Sequence, residues 1–331
     1  MKKNMLIALL LLVGVFMSAC GDGASGENGR AEKNNISIGT APLGSGWYNV
    51  SITLSDIWMD NIDGMNVNVL EGGSIGNIRS VNDGTDMHLG WAYTPDLMDA
   101  VNKQGAFEEE EISNVQVIGL SYPVYLNFVT SGKNKIEKID DLLGENIHAG
   151  AQGTGSEVAL QRLLEEHGLS YEKIEESGGK ISFGNYSDAA TQLQDGIVDV
   201  AVGGGAPDIP AFKEVEALNS IKLIPVEQSY LEPLTELGYR ADLPIPKETY
   251  KDQNEDVSAL AYQSMIIVNS DIPEDQVYEI TKFMWENVER IVEDHPARGS
   301  YFTPEIAVEG LEQSYFHPGA VKYYKEIGVM D

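Results

Sequence analysis

Three short turns, rich in glycine and hydroxyl residues, each stand between an apolar run and a stretch with helical spacing. They are residues 44–46 (GSG), 72–74 (GGS) and 153–156 (GTGS). Glycine lets the backbone come close to a ligand, and a hydroxyl caps a helix or donates to that ligand. Because a helix N-terminus carries unpaired N–H groups and partial positive charge, three of them together predict a site for a carboxylate.

Bulky aromatic residues lie next to these turns. Trp47 and Tyr48 follow the first turn, and Trp91 ends an apolar run further along the chain. Their rings would cover the apolar part of a small ligand. Two plainer interpretations stay open: the rings are core packing, and the hydroxyls are helix caps, since Thr154 and Glu157 match a capping box.

The turns belong to a repeated pattern of strand, Gly/Ser turn and helix. Its strand segments are ISIGTA, VNVLEG and MHLGWA in the first part of the chain, and NIHAGA, KISFGN and VDVAVGGG in the middle. Such alternation favours two α/β lobes, each a mainly parallel sheet flanked by helices. Ligands of open α/β sheets sit beyond the carboxyl ends of the strands, so we expect the ligand in the cleft between the lobes.

The chain layout also suggests how the lobes are joined. Residues 121–131 and 258–270 lack helical spacing and are expected to be strands that pass between the lobes, while residues 275–294 predict one amphipathic helix returning to the first lobe. The predicted boundaries are residues 36–125 with 257–331 for lobe I, and residues 126–256 for lobe II.

The N-terminus is typical of exported proteins. Two lysines, an apolar run and small residues precede Cys20, the only cysteine of the chain, so no intrachain disulfide is possible. The segment is similar to a bacterial lipobox and predicts a signal peptide (residues 1–19), lipidation of Cys20, and a flexible tether (residues 20–35) outside the cytoplasmic membrane. A simple signal peptide cut near Ala19, or a membrane-spanning helix, is the alternative.

Composition excludes several classes of partner. The 22 basic and 52 acidic residues give a formal net charge of −30, which repels nucleic acid and anionic lipid. The chain has no P-loop and no complete dinucleotide turn, and its five histidines lack zinc-site spacing. We therefore expect no cofactor, no metal and no nucleic-acid partner.

Several segments resemble the TAXI class of solute-binding proteins of TRAP transporters. They are IGTAPLGSGWYNV, EGGSIGN, AGAQGTGSE, LQDGIVDVAVGGGAPDIP and HPGAVKYYKEIG, in the order that the family has them. The resemblance implies a two-lobed periplasmic-binding type of fold and no enzymatic activity. It also implies a small organic anion as ligand, such as glutamate or a related dicarboxylate, handed to membrane subunits driven by an ion gradient.

Matching the motifs residue by residue gives the candidate ligand contacts, to which the aromatic argument adds Trp91. From lobe I they are Thr40, Ser45, Gly46, Trp47, Tyr48, Ser74, Asn77 and Trp91; from lobe II they are Thr154, Gly155, Ser156, Gly205 and Pro207. Trp47 and the run 91–93 (WAY) are more aromatic than the family commonly is. No arginine stands near Val129, so neutral donors are expected to bind the anion, with Arg79 and Arg162 solvated or paired at the surface.

Two other functions compete with this hypothesis. Residues 72–76 (GGSIG) fit the G-x-S-x-G turn of serine hydrolases, with Ser74 as nucleophile and His295 or His317 as base, although no HGGG-type segment precedes the turn. A surface lipoprotein without a ligand would share the lipobox and need no cleft.

Overall fold

The computed structural model describes residues 35–41 and 45–331. The predicted signal peptide, Cys20 and nearly all of the predicted tether lie outside these residues. Within them, no helix is both long enough and apolar enough to cross a membrane.

Within residues 35–41 and 45–331, ten strands form the sheet. They are β1 (Asn35–Gly39), β2 (Asn66–Leu70), β3 (Leu89–Tyr93), β4 (Val115–Ser131), β5 (Asn146–His148), β6 (Lys180–Ser182), β7 (Val200–Gly205), β8 (Ile221–Leu223), β9 (Tyr239–Arg240) and β10 (Ala261–Asn269).

Helices flank the sheet. They are α1 (Gly46–Asn61), α2 (Ser74–Asp83), α3 (Thr94–Asn102), α4 (Gly155–Glu166), α5 (Tyr171–Glu176), α6 (Tyr186–Gln194), α7 (Pro210–Leu218), α8 (Gln228–Leu231), α9 (Glu274–Glu286), α10 (Val288–Asp294), α11 (Pro296–Gly299), α12 (Pro304–Val308) and α13 (Pro318–Glu326). Short 3-10 helices lie at Gly105–Phe107, Ile139–Leu142, Glu232–Leu237 and Gln313–Tyr315.

The strands run in the order β2-β1-β3-β10-β4-β7-β5-β6, with β8 beside β4 and β9 beside β10. Both ends of the sheet are parallel, whereas β10 and β4 in the middle pair antiparallel with their neighbours. The predicted mixed α/β class and all six predicted strands are confirmed. The antiparallel centre was not foreseen, since alternating strands and helices carry no signal for it.

The 17-residue strand β4 joins the two ends of the sheet. Its first part pairs with β10 and its last part with β7, and Tyr125 lies opposite both Ala261 and Gly205. We call β1, β2, β3, β10 and the first part of β4 the first half of the sheet, and β5 to β8 with the rest of β4 the second half. The lobe boundaries given above stay a prediction.

Helix α1 attaches the C-terminal helices to the first half. Its apolar face is buried, and Trp58 is fully buried with Nε1 donating to the Ile280 carbonyl at 3.0 Å.

The single helix predicted for residues 275–294 was wrong, because the structure has α9 and α10 separated at Asn287. Asn287 leaves helical geometry (φ −117°), and its Nδ2 donates to the Phe283 carbonyl at 2.9 Å.

Replacing Trp58 by Ala should lower the free energy of unfolding by about 3–5 kcal/mol, because it leaves a large cavity and removes the hydrogen bond to the Ile280 carbonyl. Urea denaturation of the purified variant measures this. Leu218→Ala, at a residue that is 71% exposed on α7, is the control and should change stability by less than about 0.5 kcal/mol. Equal losses for the two variants would contradict this account of the core.

Candidate functional site

The three Gly/Ser turns begin three long helices, as the sequence predicted. Gly46 begins α1 after β1, Ser74 begins α2 after β2, and Gly155 begins α4 after β5. Each turn thus follows the carboxyl end of a strand, two in the first half of the sheet and one in the second. Unpaired N–H groups of the first helical turn are therefore available from both halves.

Two of the hydroxyls are helix caps. Ser45 Oγ accepts from the Tyr48 N–H at 3.2 Å, and Thr154 Oγ1 accepts from the Glu157 N–H at 3.4 Å, with Thr154 exposed. Ser74 is different, since its helix begins after Gly73 without a side-chain cap, and its Oγ instead accepts from the Tyr93 N–H at 2.9 Å. The plain capping interpretation is right for Ser45 and Thr154 and wrong for Ser74.

Thr40 and Asn77 lie beneath the turns with their polar atoms bonded to backbone. Thr40 Oγ1 donates to the Leu70 carbonyl at 2.8 Å, and Asn77 Nδ2 donates to the carbonyls of Thr40 and Trp91, each at 2.8 Å. Asn77 Oδ1 accepts from the Gly73 N–H at 3.3 Å. Both side chains are fully buried, so in this structure they tie β1, β3 and the second turn together.

Five aromatic residues form one cluster above these turns. They are Trp47, Trp91, Tyr93, Tyr122 and Tyr262, which we call the aromatic cluster. Trp47 stacks on Trp91 with ring centroids 5.8 Å apart, and it lies 4.4 Å from Tyr93. Tyr93 meets Tyr262 edge to face at 4.7 Å, and Trp91 lies 5.9 Å from Tyr122. Trp47, Trp91, Tyr122 and Tyr262 are buried and Tyr93 is partly exposed, so the rings pack as part of the core, as the core-packing interpretation expects.

The aromatic cluster reaches the second half of the sheet at the start of α4. Ser156 Oγ and Tyr262 Oη lie 2.9 Å apart, and a Cβ added to Gly155 would lie 2.7 Å from Cδ2 of Tyr93. Real Cβ atoms do not come this close to a ring, so the contact depends on glycine. The predicted Gly155 and Ser156 therefore face residues of the first half.

The start of α1 lies beside a guanidinium that sequence reasoning missed. A Cβ added to Gly46 would lie 2.6 Å from Arg298 Nε and 3.0 Å from Tyr122 Oη, and the Arg298 guanidinium carbon lies 5.8 Å from the centre of the Tyr122 ring. The expectation of neutral donors alone rested on the absence of an arginine near Val129. Arg298 comes instead from α11, where no local pattern marks it.

Three buried polar atoms of this region have no hydrogen-bond partner among the described residues. They are Asp96 Oδ2, Tyr122 Oη and Arg298 Nε; the other two such atoms, His148 Nε2 and His167 Nε2, lie elsewhere. An unpaired buried polar atom costs roughly 1–3 kcal/mol. Such a cost concentrated in one place is typical of a site that binds a ligand.

The electrostatics of Asp96 follow from its burial. Burial raises the pKa of the Asp96 carboxyl to about 6, the hydrogen bond with Ser74 lowers it, Asp99 raises it and Arg162 lowers it. Asp96 remains largely ionised at neutral pH. Burial also raises the pKa of the Tyr93 hydroxyl far above its usual range, so Tyr93 stays neutral.

Arg162 joins the two halves of the sheet, contrary to the expected surface role. Its Nη2 lies 2.5 Å from Asp99 Oδ2, and the two side chains are only 16% and 6% exposed. Arg162 Nη1 also donates to Tyr239 Oη at 3.3 Å. Arg79 does behave as expected, with an exposed ion pair to Glu110 at 2.6 Å.

The remaining candidates, Tyr48, Gly205 and Pro207, lie at the edges of the region. Tyr48 is half-buried on α1, and Gly205 ends β7 ahead of the cis Ala206–Pro207 bond. The Pro207 carbonyl accepts from Asn127 Nδ2 at 3.2 Å. Their contacts are with residues outside the aromatic cluster.

The hydrolase hypothesis finds no support in the geometry. Ser74 Oγ is occupied by the Tyr93 N–H, whereas His295 Nε2 lies 3.0 Å from Thr53 Oγ1 and His317 bonds to Ile272 and Gly319. Neither histidine therefore reaches Ser74 as a general base. Within residues 35–41 and 45–331, no group of three or more His, Cys, Asp or Glu side chains is arranged to hold a metal ion.

Comparison with known proteins agrees with this architecture. A structure of XAC2383 from Xanthomonas citri bound to ATP aligns with a TM-score of 0.52 at 11% identity, covering 89% of this chain and 97% of that one. A structure from a study of glutathione import via GshT and the cystine ABC importer TcyBC of Streptococcus mutans aligns with a TM-score of 0.50 at 14% identity, covering 81% and 95%. At these identities the alignments define a shared fold.

A match to a protein family classifies the chain more specifically than these structural alignments do. Residues 38–328 match the NMT1-like family, which is most of the chain. The protein therefore belongs to the NMT1-like family.

Asp96→Asn should change how stability depends on pH. The native pKa of about 6 lies above the ordinary value of 3.8, so folding favours the protonated acid. The stabilisation from the protonated carboxyl is fully present below pH 3.8, and it is lost as the pH rises through about 6. The free energy of unfolding of the wild type, minus that of the variant, should fall by about 3 kcal/mol between pH 3 and pH 7. Urea melts at several pH values measure this, and parallel curves would contradict it.

Proposed function

We propose that the protein is an extracytoplasmic solute-binding protein that captures a small organic anion between two closing lobes and delivers it to a membrane transporter. The observation that carries this proposal is the meeting of three helix N-termini, from both halves of the sheet, around the aromatic cluster. Beside it lie three buried polar atoms, of Asp96, Tyr122 and Arg298, that have no hydrogen-bond partner among the described residues. Helix N-termini and apolar rings together suit a small molecule with a charged end and an apolar body.

The start of α1 is the proposed anion subsite. Gly46 exposes its backbone beside Arg298 and Tyr122, so a carboxylate there would gain the helix N-terminus, a guanidinium and a hydroxyl. Burial raises the pKa of the Tyr122 hydroxyl, which keeps it a neutral donor. A bound carboxylate would accept from Arg298 Nε and Tyr122 Oη, two of the atoms that have no partner by hydrogen-bond geometry among the described residues.

Closure of the two lobes would bring the candidate contact residues of lobe II onto the ligand. We propose that lobe I is residues 36–125 with 257–331, lobe II is residues 126–256, and bending occurs along β4 and β10. The Arg162–Asp99 pair and the contact of Gly155 with Tyr93 would then form only in the closed state. A shared fold with a chain from work on glutathione import supports this class of function.

The finer identity of the transporter is also a proposal. The order of motifs resembles TAXI receptors, so we propose a TRAP-type transporter as partner, with glutamate or a related dicarboxylate as the ligand. The lipobox-like segment ending at Cys20 supports a lipid anchor on the outer face of the membrane.

A ligand panel tests the function. Thermal unfolding of the purified protein with glutamate, glutamine, 2-oxoglutarate and C4 to C6 dicarboxylates should show clear stabilisation by at least one compound. A thousandfold excess over Kd adds about 4 kcal/mol. If no compound in a broad anion panel stabilises folded, ligand-free protein, the proposal fails and a surface lipoprotein without a ligand is favoured.

Arg298→Ala should weaken binding of that ligand by about tenfold to a hundredfold, because it removes a charged donor. Isothermal titration calorimetry measures the change. Arg290→Ala is the matched control, since Arg290 lies in the same segment but makes exposed ion pairs with Asp56 and Asp60 and should leave Kd unchanged. Equal effects of the two variants would remove Arg298 from the site.

A further inference from the structure

Asp96 is a carboxylate placed where the two halves of the sheet meet. It lies in the first turn of α3, and a Cβ added to Gly155 would lie 2.6 Å from Asp96 Oδ2. Asp96 is only 2% exposed, and within residues 35–41 and 45–331 that oxygen has no hydrogen-bond partner. A buried ionised oxygen without a hydrogen-bond donor is energetically costly, so this position favours a ligand that supplies the donor.

The charges around Asp96 leave one negative charge uncompensated. The charged groups acting on it are Asp99 and Arg162, and the nearby Tyr93 and Tyr239 are neutral because burial raises the pKa of their hydroxyls. Arg162 is already bonded to Asp99 at 2.5 Å. Two carboxylates and one guanidinium sum to −1, so this end of the site favours a cation.

Aromatic rings provide the rest of a site for an ammonium group. The Tyr93 ring lies beside Asp96 and contacts Trp47 at 4.4 Å and Tyr262 at 4.7 Å. Ring faces attract an ammonium group, and the attraction is larger where water is excluded. The opposite charge, on Arg298, lies next to Gly46, the residue that precedes Trp47.

From this arrangement we infer that Asp96 binds the ammonium group of the ligand, so that the ligand is an amino acid and not a dicarboxylate or a keto acid. The inference rests on the proposed function and narrows it. A second ligand carboxylate beside Asp96 would place two like charges together out of water, which disfavours binding. An amino acid offers an ammonium group to Asp96, whereas a dicarboxylate or a keto acid without an amine offers none.

Pairs of ligands that differ only in the ammonium group test the inference. Calorimetric titrations at pH 7.5 would compare glutamate with glutarate, leucine with 4-methylpentanoate, and phenylalanine with 3-phenylpropanoate. We expect the wild type to bind the amino acid of the best pair at least about tenfold more tightly. Asp96→Asn should reduce that preference to near one, by weakening the amino acid about tenfold to a hundredfold while its partner binds as before.

Asp99→Asn is the matched control on the same helix. It removes the partner of Arg162 and one of the two negative charges, so it should weaken both members of a pair. It should reduce the preference for the amino acid much less than Asp96→Asn does, because Asp99 is already paired with Arg162. If the wild type prefers the acid that lacks the ammonium group, or Asp96→Asn keeps the preference for the amino acid, the inference is wrong while the proposed function stands. If no member of any pair and no dicarboxylate binds, both the inference and the proposed function are wrong.

An inorganic cation is the remaining explanation of the negative charge. Replacing sodium chloride by choline chloride at constant ionic strength would separate the two cases. Stabilisation of the wild type by sodium that disappears in Asp96→Asn would overturn the inference in favour of a metal ion. Equal melting temperatures in the two salts would support the ammonium assignment.

Discussion

The site depends on how closely backbone and side chains approach each other at two glycines. Gly155 lets the start of α4 lie against Tyr93 and Asp96, and Gly46 lets Arg298 and Tyr122 reach the start of α1. A side chain at either position would push a helix N-terminus away from its neighbours. The positive ends of these helices are therefore usable because the first residue of each has no Cβ.

The caps at these turns leave room for the proposed ligand contacts. Ser45 and Thr154 each use one hydroxyl to bond a single N–H of the first turn, which leaves other N–H groups of the same turn unpaired. Ser74 holds the Tyr93 backbone in place, and thereby the ring that contacts both Trp47 and Gly155. Ser74 can thus act on the proposed site indirectly, because its hydrogen bond to the backbone positions the Tyr93 ring.

How much of this the sequence predicts depends on how local each feature is. The strand, turn and helix pattern fixed β1 to β3 and their turns, because periodicity and glycine are local signals. The break at Asn287 and the antiparallel placement of β10 depend on tertiary packing. Arg298 and Asp96 were missed because their neighbours in space are distant in sequence. Arg298 lies about 250 residues from Gly46. The Arg162–Asp99 pair beside Asp96 spans 63 positions. Only the assembled fold brings such groups together.

The Arg162–Asp99 ion pair has a consequence for the lifetime of any complex. Its two ions are almost excluded from water where the halves meet, so separating the halves means rehydrating both of them and breaking their contact. That step is the same whatever molecule lies between the halves. The residence time of a captured solute would then be set partly by the protein's own charges, and ligands of very different affinity would share a component of their release kinetics.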